Sequence, residues 1–561
     1  MSAPAPTLSV DGLGGPHARE PADIVGLGVG ALGVALVTAS VFAAIAPTNF
    51  GGYDEWLILS LVHRGLASIP FAGRPLELVF DLPAARLAPH NLSAFLLLHG
   101  TYQALSGFLV FLLVRRLSPG TPQLGLVAGL LTAVWAPLDF LRLNAVETLA
   151  YSGTTLAALV ASVLFVFAWT GRSQALLAGA LLVGIVAGRS YESALGLLAG
   201  APLLVPGRLR EKPRAFWAWV ACWEGVLVLH LAYVGWLLAA GTSGAASPSY
   251  QAQALGLDLH PVRVLGRLAV QVGHQLRPLA APPWGDLLAP QAVAALLAAA
   301  GAFLLHARLT GATWAEASRV QLGLLGRGAA LTALGYSFFL VTASLRSAAR
   351  TQFLSAPGIG LLLAVAITWL ASRVFRRWRT AAAAALVGGS CALAAAGTIG
   401  MQREWDAASY WPAQSRCLAA LVRLAPRVEP GTVFVLLDET GTWPANFSFR
   451  HAVAYLYDGR ALGYAAGAHP LLYDARFEPG GLRYEPWDVI RGPWQERPSL
   501  HPHASLVVLR QREEGRLELL EEWPGEILGA LPGNAEYRPR TRLLPGAPPL
   551  SARILGPALG P

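Results

Sequence analysis

Long apolar runs alternate with short polar segments from about residue 24 to residue 400. A helix that crosses a bilayer needs about 20 apolar residues, and the pattern predicts about 11 such helices. The fifth and sixth runs are short and flank Arg189-Ser190-Tyr191-Glu192, so they form either two short spans or one broken hairpin. The predicted spans are 24–46, 92–114, 122–138, 151–170, 175–188, 193–206, 216–240, 287–307, 328–345, 353–372 and 380–400.

Positive charges in the short connections predict the orientation of these spans. Arginine and lysine accumulate in cytoplasmic loops, and with the N-terminus inside the inner loops hold about 14 cations against about 10 outside. This orientation places the first outer loop, 47–91, the loop 241–286 and the tail after residue 400 outside the membrane. We expect a multi-pass membrane protein with an extracytoplasmic C-terminal domain.

The polar tail, residues 401–561, follows a different pattern. The run Thr432–Leu437 is apolar and is bounded by Pro430-Gly431 and Asp438, which is typical of a buried strand. Its size suits one domain, and we predict a small α/β fold. Other predicted elements are helices at 403–424 and 447–457 and strands at 505–509 and 517–520.

The overall class is therefore an α-helical polytopic membrane protein with a C-terminal α/β domain. Residues 1–22 are polar and rich in Pro and Gly, and we expect them to be disordered. Residues 23–400 form the transmembrane domain. The apolar run before Ala44-Ile45-Ala46 exceeds the length of a signal-peptide core, so it is interpreted as an uncleaved first helix.

Composition agrees with this class. The chain is 54% hydrophobic and 13% charged, whereas soluble domains carry about 25% charged residues. The net charge of +9 lies largely in short loops, so it does not indicate nucleic-acid binding. The three cysteines, Cys222, Cys391 and Cys417, are far apart and predict neither a metal site nor a disulfide framework.

The sequence carries no convincing nucleotide-binding motif. Gly28-Val29-Gly30-Ala31-Leu32-Gly33 fits G-x-G-x-x-G, but it lies within an apolar helix rather than between a strand and a helix. Gly26 and Gly30 instead form a G-x-x-x-G pair, which favours close helix packing. The sequence has no Walker A motif, so ATP-driven transport by this chain is not expected.

Paired carboxylates, Asp54 and Glu55, follow the first span within Gly51-Gly52-Tyr53-Asp54-Glu55-Trp56. One interpretation is an amphipathic helix in the membrane interface whose acidic residues stabilise its N-terminus. The other is a general base, Asp54, that deprotonates an acceptor hydroxyl at the membrane surface. Glu55 then holds a metal or orients the acceptor.

Arginines on the predicted outer side form the second group of candidates. Arginine there opposes the topological bias, and its planar fork suits a phosphate, although contact with lipid headgroups explains it as well. Arg189, Tyr191 and Glu192 are either a surface anchor or part of a cavity lined by broken spans. The substrate-binding candidates are Arg74, Arg189, Tyr191, Glu192, Arg346 and Arg350.

The chain resembles the GT-C superfamily of polyprenyl-phosphate-sugar-dependent glycosyltransferases, which includes protein O-mannosyltransferases and bacterial aminoarabinose transferases. Tyr53-Asp54-Glu55-Trp56 is similar to the family's Asp-Glu motif in the first outer loop. Arg350-Thr351-Gln352-Phe353 and the Pro357-Gly358 that follow resemble a segment that opens a late helix. Tyr191-Glu192 resembles an aromatic-Glu pair between mid-chain spans.

This resemblance implies an enzyme of the bacterial inner membrane that transfers a sugar from a polyprenyl-phosphate donor to a hydroxyl of a glycan, lipid or protein, with inversion. Asp54 is then the base, and Arg350 and Arg346 bind the departing phosphate, with Arg189 in reserve. A divalent metal, Mg²⁺ or Mn²⁺, held by Glu55 and Glu192, is a further possibility. Apolar walls of the later spans hold the prenyl chain.

Two other classes stay open at the level of sequence. A transporter or flippase for a lipid-linked or anionic solute places its charges near the bilayer midplane, whereas most charges here lie at the ends of spans. A membrane-anchored scaffold leaves Asp54 and Arg350 without a role. An outer-facing pocket lined by Asp54, Glu55 and Arg350 favours the transferase, and a central path favours transport.

Overall fold

The computed structural model describes residues 21–67, 74–205, 213–242, 258–311, 318–341, 352–487 and 497–559. Long helices make up the chain to residue 408, and short strands alternate with helices beyond residue 424. This confirms the predicted class, a polytopic helical protein with a C-terminal α/β domain. Residues 1–20 of the polar tail lie outside the described part, and the first helix begins at Pro21.

Fourteen helices precede the C-terminal domain in the described ranges. They are α1 (Pro21–Phe42), α2 (Glu55–His63), α3 (Leu82–Leu87), α4 (Leu92–Leu117), α5 (Pro122–Val134), α6 (Ala145–Gly171), α7 (Gln174–Ser190), α8 (Ala194–Ala199), α9 (Pro213–Thr242), α10 (Pro261–Ala280), α11 (Pro290–Thr310), α12 (Ser318–Val341), α13 (Gln352–Arg373) and α14 (Arg379–Ala408).

Eight of the described helices are long and apolar enough to cross a membrane: α1, α4, α6, α9, α11, α12, α13 and α14. The other three predicted spans are helical but shorter. They correspond to α5, α7 and the segment Ala194–Leu204 that begins with α8. The about 11 predicted spans therefore correspond to eight full-length helices and three short apolar ones in the described part of the chain.

The short helix α5 is a core element of the bundle. Every residue from Gln123 to Val134 is buried, and the helix ends before Pro137, since a proline disfavours helical conformation in the residue before it. A Cβ added to Gly107 of α4 would lie 2.5 Å from the carbonyl oxygen of Gly129. Glycine at both positions therefore permits the close backbone contact between α4 and α5.

The glycines of α1 have the same purpose. A Cβ on Gly30 would collide with the ring of Phe111, and one on Gly26 would lie 2.9 Å from the Thr310 methyl group. The interpretation of these glycines as packing positions agrees with the structure, because the whole G-x-G-x-x-G sequence lies inside a helix.

Segments predicted to lie outside meet at one end of the bundle. Arg74 of the first loop forms an ion pair with Glu192, which follows α7. The backbone N–H of Gln352 at the start of α13 donates to the side chain of Asp139, which follows α5. We call this end the acidic end, because Asp54, Glu55, Glu77, Glu147 and Glu192 lie there.

Segments predicted to lie inside meet at the opposite end. Gln123 at the start of α5 donates to the Gly311 carbonyl after α11 at 3.2 Å. Arg327 of α12 donates to the Leu203 carbonyl at 3.0 Å. This grouping matches the alternating direction predicted for successive spans.

The last long helix continues eight residues past the predicted boundary at residue 400, because α14 ends at Ala408. The helix predicted at 403–424 is therefore two helices, the end of α14 and α15 (Trp411–Leu424). Pro412 explains the break, since proline at the start of a helix cannot continue a preceding one.

The C-terminal domain contains a four-stranded sheet of order β3-β2-β7-β8, in which β2 runs parallel to both neighbours. Strand β2 is buried along Thr432–Leu437, as predicted. Helix α16 (Asn446–Leu456) connects β2 to β3 and packs against β3. The strands are β1 (Arg427–Val428), β2 (Thr432–Asp438), β3 (Ala461–Ala466), β4 (Tyr473–Glu478), β5 (Gly481–Pro486), β6 (Ser499–His501), β7 (Leu506–Glu513), β8 (Arg516–Leu519) and β9 (Leu543–Leu544).

Two smaller sheets complete the domain. Strands β4, β5 and β6 form an antiparallel sheet, and β1 pairs with β9. The four-residue helix α17 (Gly525–Leu528) precedes β9.

Helix α2 lies between the bundle and the C-terminal domain. Every residue from Glu55 to Val62 is buried, and Trp56 shares one apolar core with Leu149 of α6 and Val435 of β2. The helix expected here is present, and its burial does not fit the interpretation of a solvated helix on the membrane surface. The C-terminal domain covers the face that the sequence pattern assigned to water or lipid.

Candidate functional site

The paired carboxylates face different surroundings. Asp54 occupies the N-cap position of α2 and is exposed, and its side chain makes no capping hydrogen bond with the described first turn. Glu55 is 1% exposed. Adjacent residues at the start of α2 therefore place one carboxyl group at the surface and the other in the interior.

Glu55 is held in a narrow polar pocket. The side-chain amide of Asn144 donates to Oε1, and Oε2 has no hydrogen-bond partner among the described residues. A Cβ on Gly52 would lie 2.7 Å from Oε2, so glycine is required there for the carboxyl group to fold back. The unpartnered oxygen marks a polar atom that a bound molecule can satisfy.

Burial, and next the charge of Glu147, raise the pKa of Glu55 to about 8. Removing a carboxylate from water disfavours its charged form, and a second carboxylate nearby adds to this effect. Glu55 is therefore protonated at neutral pH and can donate a hydrogen bond.

Asn144 and Glu147 belong to the start of α6. Asn144 is the N-cap residue, and its side-chain oxygen accepts from the amides of Val146 and Glu147 at 3.2 Å and 3.1 Å. Its amide group is thereby fixed toward Glu55. One residue thus begins the helix and orients the buried carboxyl group.

A second cluster surrounds Arg74. Its Nε and Nη2 donate to Glu192 Oε2 and Oε1 at 2.6 Å each, and Nη1 donates to Glu77 at 2.8 Å. The guanidinium lies 4.0 Å from the centre of the Tyr191 ring. The bidentate geometry and the ring contact hold the first loop against the segment between α7 and α8.

The cluster has more carboxyl groups than arginines, since Arg74 faces both Glu77 and Glu192. Burial opposes ionisation of Glu192, but Arg74 outweighs it and lowers the pKa of Glu192. Burial prevails at Glu77, whose pKa is raised despite Arg74. Asp81 is fully buried, and burial followed by the charge of Glu77 raises its pKa well above the usual range.

Glu147 connects the two clusters. Its charge acts on Glu55 on one side and on Glu77 on the other. Asp54, Glu55, Glu147, Glu77, Arg74 and Glu192 therefore form a continuous series, which we call the acidic series. It combines an exposed carboxylate, two buried acids of raised pKa, Glu55 and Glu77, and one arginine, as general acid–base chemistry requires.

The structure brings together five of the predicted site residues: Asp54, Glu55, Arg74, Tyr191 and Glu192. Arg189 lies nearby in the chain, and its guanidinium stacks 3.7 Å from the centre of the Tyr233 ring. Its backbone carbonyl accepts from the Leu76 amide. Arg346 and Arg350 lie outside the described residues.

Sequence reasoning missed Asn144 and Glu147. A signal for both was present, because the segment 139–150 falls on the predicted outer side and carries Asp139, Arg142 and Glu147. Arg142 is 1% exposed and donates to the Val134 carbonyl at 2.6 Å, so it supports the turn after α5.

The predicted metal ligands do not converge. Glu192 is occupied by both nitrogens of an arginine fork, and Glu55 receives the Asn144 amide. Across the described ranges, no group of three or more His, Cys, Asp or Glu side chains is arranged to hold a metal ion. These residues therefore do not fit the predicted Mg²⁺ or Mn²⁺ site.

Comparisons with known proteins give a likeness of structure but no match of sequence. No known family profile and no curated protein sequence matches the chain. The structure is similar to the crystal structure of ArnT from Cupriavidus metallidurans bound to undecaprenyl phosphate, with a TM-score of 0.36 and 13% identity, over 77% of this chain and 88% of that chain. At this TM-score the likeness carries no inference about this chain.

Proposed function

We propose that this protein is a membrane glycosyltransferase that moves a sugar from a polyprenyl-phosphate donor to a hydroxyl of a glycan, lipid or protein on the outer face, with inversion. The observation that carries the proposal is the acidic series at the ends of the apolar helices. It places an exposed carboxylate beside buried acids of shifted pKa, where a lipid phosphate and a water-borne acceptor can meet.

Asp54 is the proposed general base. The acceptor oxygen bonds to the anomeric carbon as its proton passes to Asp54. The bond from that carbon to the phosphate oxygen breaks, and its electron pair leaves with the phosphate. Attack from the face opposite the phosphate inverts the configuration. The exposed position of Asp54 suits this role because the acceptor approaches from water.

Glu55 is proposed to orient the acceptor as a neutral acid. A protonated carboxyl group donates a hydrogen bond to a sugar or acceptor oxygen, and Asn144 holds it in place. Its neighbour Asp54 then keeps the charge that a base needs. Two adjacent carboxylates thereby have two roles set by their surroundings.

The departing phosphate requires fixed positive charge. Arg74 is saturated by Glu77 and Glu192, so we assign it to positioning the first loop rather than to binding phosphate. Arg350 and Arg346 are the proposed phosphate ligands, with Arg189 in reserve. The described residue that follows their segment, Gln352, binds Asp139 at the acidic end. No step is assigned to a metal.

Transport is the competing function. Transporters place their binding charges near the bilayer midplane, whereas the acidic series belongs to loops and helix ends under the C-terminal domain. This position favours chemistry at the surface over a path through the membrane.

The test is release of polyprenyl phosphate from a panel of polyprenyl-phosphate hexoses and pentoses by the protein in lipid nanodiscs. Asp54→Asn keeps the size of the side chain but removes the base, and we expect a loss of about 100-fold or more. Asp474→Asn, an exposed change in β4, is the matched control and should be unaffected. Equal rates in the two variants would remove Asp54 from the mechanism. Movement of labelled donor across sealed vesicles without release of phosphate would support transport.

A further inference from the structure

A cavity of about 290 Å³ lies between helix α2 and helix α16 of the C-terminal domain. Ser60, His63 and Arg64 line it from the end of α2, and Arg450, His451 and Asp458 line it from α16 and the turn that follows. Asp54 and Glu55 lie at the other end of α2. The cavity is therefore separate from the acidic series although both involve the same helix.

Basic residues outnumber acidic ones in the lining of the cavity. Two arginines and two histidines line it, and Asp458 is the one carboxylate among the lining residues. Asp458 lies 3.1 Å from His63 Nε2, and its side chain is 66% exposed. Positive charge therefore prevails on the inner wall, and the carboxylate lies toward the rim.

The basic side chains are held in fixed positions. The Arg450 guanidinium lies 4.3 Å from the centre of the Tyr484 ring and 4.8 Å from that of Tyr473, and the residue is 7% exposed. Arg64 Nε donates to the Ser60 carbonyl at 3.3 Å. An arginine whose plane is already fixed loses less entropy when it binds an oxyanion.

His451 is oriented from both sides. Its Nδ1 lies 3.1 Å from the Ser60 hydroxyl, and its Nε2 lies 3.3 Å from the Tyr473 hydroxyl. These contacts join α2 to the C-terminal domain through the wall of the cavity. A ligand in the cavity would therefore touch both parts of the molecule at once.

We propose that this cavity binds a phosphate group together with no more than one sugar ring of the molecule that carries it, and that the bound ligand fixes the C-terminal domain to helix α2. Arg64 and Arg450 supply the planar donors that match phosphate oxygens, and the volume accommodates a phosphate with one ring. The ligand is a soluble sugar phosphate or the phosphate of a lipid or glycan. The site is additional to the proposed transferase centre and does not depend on it.

The test measures binding by the full-length protein in neutral nanodiscs. Glucose 6-phosphate is the soluble probe, and nanodiscs that contain phosphatidic acid provide the lipid arm. Arg64→Gln should weaken phosphate binding at least 10-fold, because hydrogen bonds to charged groups are strong. Asp458→Asn should strengthen binding, since it removes the competing carboxylate. Arg512→Gln, an exposed change in β7, should match the wild type.

The proposal is supported if binding in either arm depends on Arg64, and the arm in which it occurs identifies the source of the phosphate. Glucose is the uncharged control for the soluble arm. Hydrogen exchange of residues 55–64 should slow in the same arm. The proposal is overturned if neither probe binds, or if Arg64→Gln and Arg512→Gln bind equally well. Arg64 is exposed, so its substitution leaves the fold intact and the outcome interpretable.

Discussion

At the scale of single residues, the environment of Glu55 distinguishes it from Asp54. Burial and the charge of Glu147 raise the pKa of Glu55, and the Asn144 amide donates to its carboxyl group. Helix α2 turns Glu55 inward and leaves Asp54 at the surface. Chemical identity alone would make the two residues equivalent. Their proposed division into a base and a neutral donor follows from burial.

The raised pKa of Glu55 predicts how stability depends on pH. Between its ordinary value of 4.5 and about 8, the folded protein holds a proton that the unfolded chain has lost. Stability therefore falls as pH rises through this window. Glu55→Gln removes this contribution, so its melting temperature should decline less steeply from pH 5 to pH 8.

Thermal unfolding of the purified protein in detergent across that range provides the measurement. Glu77 and Asp81 shift in the same direction, so a smaller decline persists in the variant. Glu522→Gln, an exposed change, should keep the full slope. A Glu55→Gln slope equal to that of wild type would show that Glu55 is ionised in the folded state.

At the scale of elements, α2 depends on the C-terminal domain for its position. The Trp56 indole donates to the Gln414 side chain at 2.9 Å, and Trp56 packs against Phe50 and Trp411. Ser448 donates to the Tyr53 carbonyl at 2.9 Å. Contacts from α15 and α16 thus hold both ends of the segment that carries the paired carboxylates.

Trp56→Phe tests this dependence. The change keeps an aromatic ring but leaves the buried Gln414 oxygen without its indole donor, which should cost about 1–3 kcal/mol of stability. We expect faster hydrogen exchange in residues 53–63 by mass spectrometry. Trp217→Phe, in an exposed part of α9, is the control and should change neither quantity. Unchanged exchange in Trp56→Phe would mean that the bundle alone positions α2.

Sequence reasoning succeeded where the signal is local. Apolar runs revealed the long helices and strand β2, because each depends on the residues within it. It failed where contacts join distant parts of the chain. Asn144 and Glu55 are 89 residues apart, and Arg74 and Glu192 are 118 apart. No periodicity encodes such pairs, which depend on how the helices pack.

The burial of α2 was missed for the same reason. Its mixture of apolar and charged residues fits a membrane interface as well as a contact between domains. The covering surface lies more than 350 residues away, as the Trp56–Gln414 contact illustrates. The resemblance of the Asp-Glu motif identifies Asp54 and Glu55 as candidate functional residues, but it does not predict their surroundings.

At the scale of the whole molecule, the two ends of the bundle should face opposite compartments. Cys222 lies exposed on α9, whereas Cys391 and Cys417 are buried. The Cys222→Ser variant therefore has no exposed cysteine among the described residues and suits labelling of an introduced one. On this background, Glu522→Cys should react with a membrane-impermeant maleimide added to sealed cells. Arg376→Cys, between α13 and α14, should react only after permeabilisation. The reverse pattern would invert the proposed topology and move the acidic series inside.

The contact between α2 and α16 also has a consequence for the timing of assembly. Ser60 and His451 are 391 residues apart in the chain. At a synthesis rate of about 5–20 residues per second, α2 leaves the ribosome roughly 20–80 s before its partner helix exists. During that interval the part of α2 that the C-terminal domain covers has no native partner, although α3 and α6 already contact the helix. The apolar residues of this segment therefore need another partner until translation is nearly complete. The bilayer surface or a chaperone can provide it.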